Sequence, residues 1–186
     1  MKVKYSDLKN KRVFITGGGS GIGASIVEHF CEQGSEVYFV DINIKETNKL
    51  LKIIKKKRFR KPNFIECNLL DINKLEKIIK KIISTKGPIH ALVNSAANDD
   101  RHTTDQVDEK YWENRMAINL KHYFFAAKAV VKAMKKIKSG SIVNLSSVSW
   151  MLGEGDKVVY ETAKSAVVGL TRSFAQEYGK YNIRTN

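Results

Sequence analysis

From Val13 onward, short runs of β-branched and aromatic residues alternate with longer stretches in which apolar side chains recur every three or four positions. Val13-Phe14-Ile15-Thr16 reads as a buried strand, and Ile22 to Gln33 as a helix stopped by Gly34. The pattern repeats with a strand at Val37-Tyr38-Phe39-Val40, a helix over Lys45 to Lys57 and a strand at Phe64-Ile65-Glu66. From Asn73 to Thr85, Leu75, Ile78, Ile79, Ile82 and Ile83 form the inward face of an amphipathic helix that Gly87-Pro88 ends. Ala91-Leu92-Val93-Asn94 is a fourth strand, Asp108 to Ile137 one long helix, Ser141-Ile142-Val143-Asn144-Leu145 a fifth strand, and Val159 to Tyr178 another helix. Asn182-Ile183-Arg184 reads as a sixth strand just starting. Strands separated by helices of this length pair in parallel through right-handed crossovers, so the expected fold class is α/β, a doubly wound parallel sheet of about six strands.

A length of 186 residues, 42% hydrophobic and 28% charged, suits one compact domain over residues 1–186 and excludes disorder as the main state. Met1-Lys2-Val3-Lys4 opens no continuous apolar stretch of the kind a signal peptide or membrane span requires. Cys31 and Cys67 stand far apart, outside any Cys-x-x-Cys spacing, and the four histidines show no ligand spacing, so no disulfide framework or metal site is expected and the reducing cytoplasm is the expected compartment. The excess of 33 basic over 19 acidic residues, +14, raises nucleic acid as a partner. Its densest stretch, Lys49 to Lys61, holds eight basic residues and no acid, but Leu50, Leu51, Ile53 and Ile54 mark a helix burying its other face. A solvated lysine face is the preferred reading, because Phe59 is a lone aromatic and no aromatic-basic interleaving accompanies it.

The strongest local signal is Thr16-Gly17-Gly18-Gly19-Ser20-Gly21-Ile22-Gly23, directly after the first strand and opening the first helix. Glycines there let the backbone turn sharply and approach a pyrophosphate, whose charge is met by free N–H groups at the positive end of the helix. The spacing is T-G-x-x-x-G-x-G, carried by Thr16, Gly17, Gly21 and Gly23, rather than G-x-G-x-x-G. Asp41, twenty residues after Gly21 at the end of the second strand, is placed as in a Rossmann-like unit to accept hydrogen bonds from the adenosine ribose and repel a 2′-phosphate. With no Arg or Lys in the glycine loop, NAD is favoured over NADP; the competing role for Asp41 is a cap on the following helix.

Tyr160 and Lys164 stand at i and i+4, on one helix face, but Tyr5 and Lys9 repeat that spacing, so the pair alone carries little. Context lifts it: Ser147 lies thirteen residues earlier, just past the fifth strand, at the edge where open α/β sheets bind ligands. With the glycine loop, the Asn94-Ser95-Ala96-Ala97 strand end and Asn119, these residues resemble the short-chain dehydrogenase/reductase family over about Lys11 to Asn186. The resemblance implies a tetrad in which Tyr160 is the general acid/base, Lys164 lowers its pKa and binds the nicotinamide ribose, Ser147 holds the substrate oxygen, and Asn119 supports a proton-relay water. The implied cofactor contacts are Thr16, Gly17, Gly19, Ser20, Gly21, Ile22, Gly23, Asp41, Asn68, Leu69, Asn94, Ala96, Tyr160 and Lys164. Chemistry agrees, since a phenol with an ordinary pKa near 10 needs a neighbouring cation to serve as base at neutral pH.

Two positions depart from the family pattern: the strand end lacks its last glycine, at Ala97, and Asn68 stands for the Asp that meets adenine. The polar loop Asn98-Asp99-Asp100-Arg101-His102 fits either hydrogen bonding to a polyol or capping of the next helix. With Trp112, Asn119 to Phe125, and Ser147-Val148-Ser149-Trp150, it resembles the sugar-oxidising branch similar to D-xylose and galactose 1-dehydrogenases. That implies NAD-dependent oxidation of an aldose anomeric hydroxyl to a lactone, with Ser147, Trp150 and Asn98 as substrate contacts. The alternatives are an NAD(P)H-dependent carbonyl reductase, such as a 3-oxoacyl carrier-protein reductase, and a catalytically silent nucleotide-binding module. Family members normally continue beyond this point with the rest of the sixth strand and a substrate-covering loop, which also supply much of a homo-oligomer interface; the resemblance therefore implies a C-terminally incomplete chain.

Overall fold

The computed structural model describes residues 3–186, so Met1 and Lys2 of the opening segment lie outside the described residues. Its strands are β1 (Arg12–Thr16), β2 (Glu36–Asp41), β3 (Asn63–Glu66), β4 (Ala91–Asn94), β5 (Gly140–Asn144) and β6 (Ile183–Thr185). They form one parallel sheet in the order β3-β2-β1-β4-β5-β6. The order reverses between β1 and β4, which opens a crevice at their carboxyl ends. Thr16 registers with Val40 on one side and Asn94 on the other, so the glycine loop, the end of β2 and the end of β4 emerge together.

Period-2 alternation sends successive side chains of each strand to opposite faces. Phe14, Leu92 and Ile142 pack beneath α3 (Ile72–Lys86), α5 (His122–Ile137) and α7 (Val158–Tyr178). Val13, Ile15 and Val93 pack against α1 (Gly21–Glu32) and α2 (Ile44–Lys56). Asn43 caps α2 by accepting the Glu46 N–H, and Asp71 caps α3 by accepting that of Lys74.

α2 buries Thr47, Leu50 and Ile54. Ile53, expected inward, is 44% exposed, because the stripe at i, i+3 and i+7 leaves it a quarter turn off the buried face. The lysines occupy the rest of the surface, and Lys49 and Lys57 are paired with Glu46 and Glu28.

The helix expected over Asp108 to Ile137 differs in an informative way. α4 (Glu109–Met116) passes into a π-helical turn at Ala117–Lys121 before α5 begins. A π-turn accommodates one residue more than an α-turn, and the hydrophobic period does not reveal it. The structure also adds 3₁₀ turns at Ser6–Leu8 and Thr104–Gln106 and a short helix, α6 (Ser149–Leu152), which were not expected.

Candidate active site

The glycine loop is held from below: Gly17 and Gly18 both donate to Val40 O, at 2.8 and 3.2 Å, and Gly19 donates to Asp41 Oδ2 at 2.8 Å. Gly17 (φ 68°) and Gly21 (φ 53°) take the left-handed conformation that makes the sharp exit from β1. A Cβ on Gly17 would lie 2.6 Å from Ala96 Cα, and one on Gly23 would collide with Gly17 O, so these contacts admit no side chain. Ser20, in extended conformation, gives α1 no side-chain cap, and the first turn contains no acid. Its leading N–H groups and positive dipole end therefore remain available to an anion.

Thr16 is buried, and its Oγ1 accepts from Ser95 N at 3.1 Å and Ala96 N at 3.4 Å, binding the β4 exit to β1. Asn94 is also fully buried, and its Nδ2 donates to Asn144 Oδ1 at 2.9 Å, linking β4 to β5. Of the expected cofactor contacts, these two side chains act as internal struts.

Asp41 Oδ1 accepts the Asn43 N–H at 2.8 Å while Oδ2 holds Gly19. The capping role is thus shared: Asn43 caps α2, and Asp41 fixes both the turn into that helix and the glycine loop. A carboxylate has about four lone-pair sites, so Asp41, which also lines the cleft, keeps acceptor capacity for a ligand hydroxyl.

The cleft has a volume of about 610 Å³ and runs along the carboxyl edge of the sheet. Gly17, Ser20, Gly21, Ile22 and Gly23 form one wall, Asp41, Asn68 and Leu69 one end, and Ala96, Asn98, Asp99 and Tyr160 the other. Two further expected contacts, Asn68 and Leu69, thus lie at the Asp41 end; Asn68 Oδ1 is engaged by Leu70 N at 3.0 Å. Uncapped amides at the middle and a carboxylate at one end fit a dinucleotide with a pyrophosphate and a ribose diol.

Tyr160, in the first turn of α7, is half-buried with its ring facing Lys164, whose Nζ stands 5.6 Å from the ring centre. Lys164 is 1% exposed. Its Nζ donates to Tyr123 Oη and to Leu145 O, both at 2.8 Å, leaving one of three N–H groups for other partners. Burial lowers its pKa to about 8, against which the negative charge of Asp99 works. Tyr123, from α5, is fully buried, and its Oη lies 3.0 Å from Leu145 O; desolvation raises its pKa well above the ordinary phenol value, so it stays protonated and neutral. Sequence reasoning did not single out Tyr123 as a site residue, because nothing in a helical run of aromatics marks which ring meets a residue of a different helix.

Asn119 falls within the π-turn and is fully buried. Its Oδ1 accepts the Asn98 N–H at 2.8 Å and its Nδ2 donates to Asn98 O at 2.9 Å, a bidentate clasp on the loop after β4. Ser147 is half-buried just beyond β5, with its Oγ 2.8 Å from Ser149 Oγ. Trp150, in α6, is half-buried and, like Ser147, does not line the cleft that Tyr160 lines. His122, beside the π-turn, is fully buried with neither ring nitrogen bonded among the described residues; burial, and then the charge of Lys164, push its pKa down to about 3.

Comparison with known proteins agrees with this geometry. The chain is 41% identical over 180 residues to the D-xylose 1-dehydrogenase of Caulobacter vibrioides (strain NA1000 / CB15N), covering 97% of this chain and 71% of that one. It is 38% identical over 183 residues to a Rhizobium meliloti (strain 1021) protein named "Probable galactose dehydrogenase GalD", covering 98% and 72%. The solved ligand-free structure of Thermoplasma acidophilum aldohexose dehydrogenase superposes with a TM-score of 0.85 at 31% identity, covering 98% of this chain and 66% of that one. The family model of short chain dehydrogenases matches residues 11–186. With the parallel sheet, the glycine loop and Tyr160 on one cleft, this match makes the chain a member of the short chain dehydrogenase family, an oxidoreductase acting on CH–OH groups.

Proposed function

We propose that the chain oxidises the anomeric hydroxyl of an aldose to the lactone, with NAD as cofactor. The observation that carries this reading is that Tyr160 lines the same cleft as the glycine loop and Asp41, with the Lys164 ammonium behind its ring. Ser20, Gly21, Ile22 and Gly23 would receive the pyrophosphate and Asp41 the adenosine ribose, with Ala96 along the wall. Asp41 favours NAD, because a 2′-phosphate would bring negative charge against a carboxylate already fixed by Gly19 and Asn43. When bound, the nicotinamide accepts the hydride from the sugar carbon.

The protein handles the proton. Tyr160, as phenolate, takes the hydroxyl proton of the sugar while the C–H bond breaks, and the carbonyl of the lactone forms. Lys164 holds positive charge beside that phenolate and keeps one N–H for a ribose hydroxyl. From the segment past β5, outside the lining of the cleft itself, Ser147 would orient the reacting oxygen, with Trp150 and Asn98 about the sugar, and Asn119 keeps Asn98 in place through its two backbone bonds.

Calorimetric titration of NAD and NADP into wild type and Asp41→Ala, with reduced-nicotinamide formation followed across a panel of aldopyranoses, tests the reading. We expect tighter NAD than NADP binding, loss of that preference in Asp41→Ala, and turnover reduced about 10²- to 10⁴-fold in Tyr160→Phe. Folded protein that binds NAD and turns over no aldose would overturn the substrate assignment.

A further inference from the structure

The basic stretch from Lys49 to Lys61 does not behave as one solvated face. Lys49 and Lys57 are ion-paired with Glu46 and Glu28, and Arg60 donates to Asn10 Oδ1 and Gly34 O, both at 2.8 Å. Lys52, Lys55, Arg58 and Lys61 instead line one cavity of about 580 Å³, between the C-terminal half of α2 and the chain entering β3. Among the described residues no carboxylate lines that cavity and none pairs with these cations. It shares no lining residue with the cleft that holds Asp41 and Tyr160.

The way α2 ends builds this cavity. Phe59 N donates to Ile54 O at 3.2 Å and Arg58 N to Lys55 O at 3.1 Å, which closes the helix in a reverse turn. The turn brings Phe59 back onto the apolar cluster that contains Ile54, and with Leu51 and Pro62 these side chains give the cavity an apolar floor. Such a closure needs a left-handed residue, the place where glycine is ordinarily found; here it is Arg58, at φ 57°. The chain therefore accepts backbone strain at a position that lines the cavity with a cation.

An apolar floor under a rim of cations matches an anion that carries an apolar group, because either half alone satisfies only part of the site. Cations gathered about one cavity repel one another, and a group with about two negative charges at neutral pH relieves that repulsion more than a singly charged one. Guanidinium and ammonium groups both bind phosphate oxygens. A nucleic-acid backbone spreads single charges along a strand and would leave the floor empty. We propose that this cavity is a second ligand site, separate from the catalytic cleft, that takes a small organic phosphate monoester bearing an apolar chain or ring.

The probe is octyl phosphate below its micelle concentration, titrated calorimetrically into the wild-type protein with and without excess NAD, beside inorganic phosphate, octanol and octanoate. Octyl phosphate should bind about tenfold tighter or better than each of the three, with NAD making no difference. Lys52→Ala combined with Lys55→Ala should weaken it about 10- to 100-fold, whereas Lys74→Ala combined with Lys77→Ala, which removes the same charge from α3, should leave it unchanged. Arg58→Gly should weaken it about tenfold while its Tm stays at or above that of the wild type, since glycine relieves the left-handed strain. Leu51→Asn should narrow the margin over inorganic phosphate. An equal loss from the α3 pair would reveal a diffuse charge effect and overturn the site, and displacement of the probe by NAD would overturn it by placing the probe in the cleft. Octanoate binding as tightly as octyl phosphate would overturn the phosphate assignment. Binding to single-stranded DNA or to phosphatidylglycerol vesicles, with none to octyl phosphate, would replace the small-molecule site by a polyanion surface.

Discussion

Lys164 and His122 are both buried, with no counter-ion at bonding distance among the described residues, and the Lys164 charge disfavours protonation of His122, so each leaves a mark on the pH dependence of stability. Lys164 has its pKa lowered from 10.5 to about 8, so between these values the unfolded chain binds more protons than the folded one. Stability therefore rises with pH through that window, and the cost, roughly 3 kcal/mol, is fully present below it. Urea melts of wild type against Lys164→Met from pH 8 to 10.5 should show this rise in the wild type and a flatter profile in the variant. His122, lowered from 6.5 to about 3, stays neutral in the folded state while the unfolded chain protonates below 6.5. Stability then falls as pH drops, by about 2 kcal/mol at about pH 5. His122→Phe removes the titrating group, and its stability should decline less steeply than that of wild type between pH 6.5 and 5; equal slopes would show that the ring is hydrated or bonded in solution. At this scale the sequence marks Tyr160, Lys164, Ser147, Asn119 and Asp41 by spacing and context. It brings in Asp99 only as one of the polar loop Asn98 to His102, and His122 and Tyr123 only within the Asn119 to Phe125 segment, because a side chain's partner on a distant element leaves no trace in its neighbours along the chain.

Two short elements carry the site and respond differently to substitution. In the glycine loop, Gly21 has open space where a Cβ would stand but a φ of 53°, so Gly21→Ala should cost about 1 kcal/mol in strain and leave cofactor binding measurable. At Gly23 a Cβ meets Gly17 O, and Gly23→Ala should displace the loop and cost cofactor affinity more than tenfold; parallel calorimetric titrations of the two variants check the contrast. In the π-turn, deletion of Ala117 should restore α-helical register and rotate Asn119 about 100° around the helix, away from Asn98. Circular dichroism should remain near wild type while turnover falls by two orders of magnitude or more. A hydrophobic stripe at a period near 3.6 predicts the helix correctly on either side, yet one extra residue in a single turn changes the period too little to be seen. The helix was legible from the sequence; the turn that aims Asn119 was not.

For the whole molecule, the cleft draws residues from the loop after β1, the start of α1, the end of β2, the segments that follow β2, β3 and β4, the π-turn and α7, units that in the sequence lie as far apart as Gly17 and Tyr160. A ligand bridging them stabilises the assembled sheet: NAD at a hundred times its dissociation constant should add about 2.7 kcal/mol, read as a rise in Tm that Asp41→Ala diminishes. Surface charge acts on a different level, since the +14 balance is spread over exposed helix faces and does not select the fold. What the sequence determined by itself was local and periodic: alternating strands and helices, the parallel sheet they require, the glycine turn, and the residue types that chemistry at its edge needs. What only the tertiary structure decided was which of those groups are consumed by the fold and which are left for a ligand. Thr16 and Asn94 became struts, Asn119 became the clasp on Asn98, Tyr123 became the partner of Lys164, and Asp99 was left exposed at the cleft. The physical reason is that hydrogen-bond satisfaction and burial are settled between elements brought together by the sheet, at distances of a few ångströms that chain order does not encode.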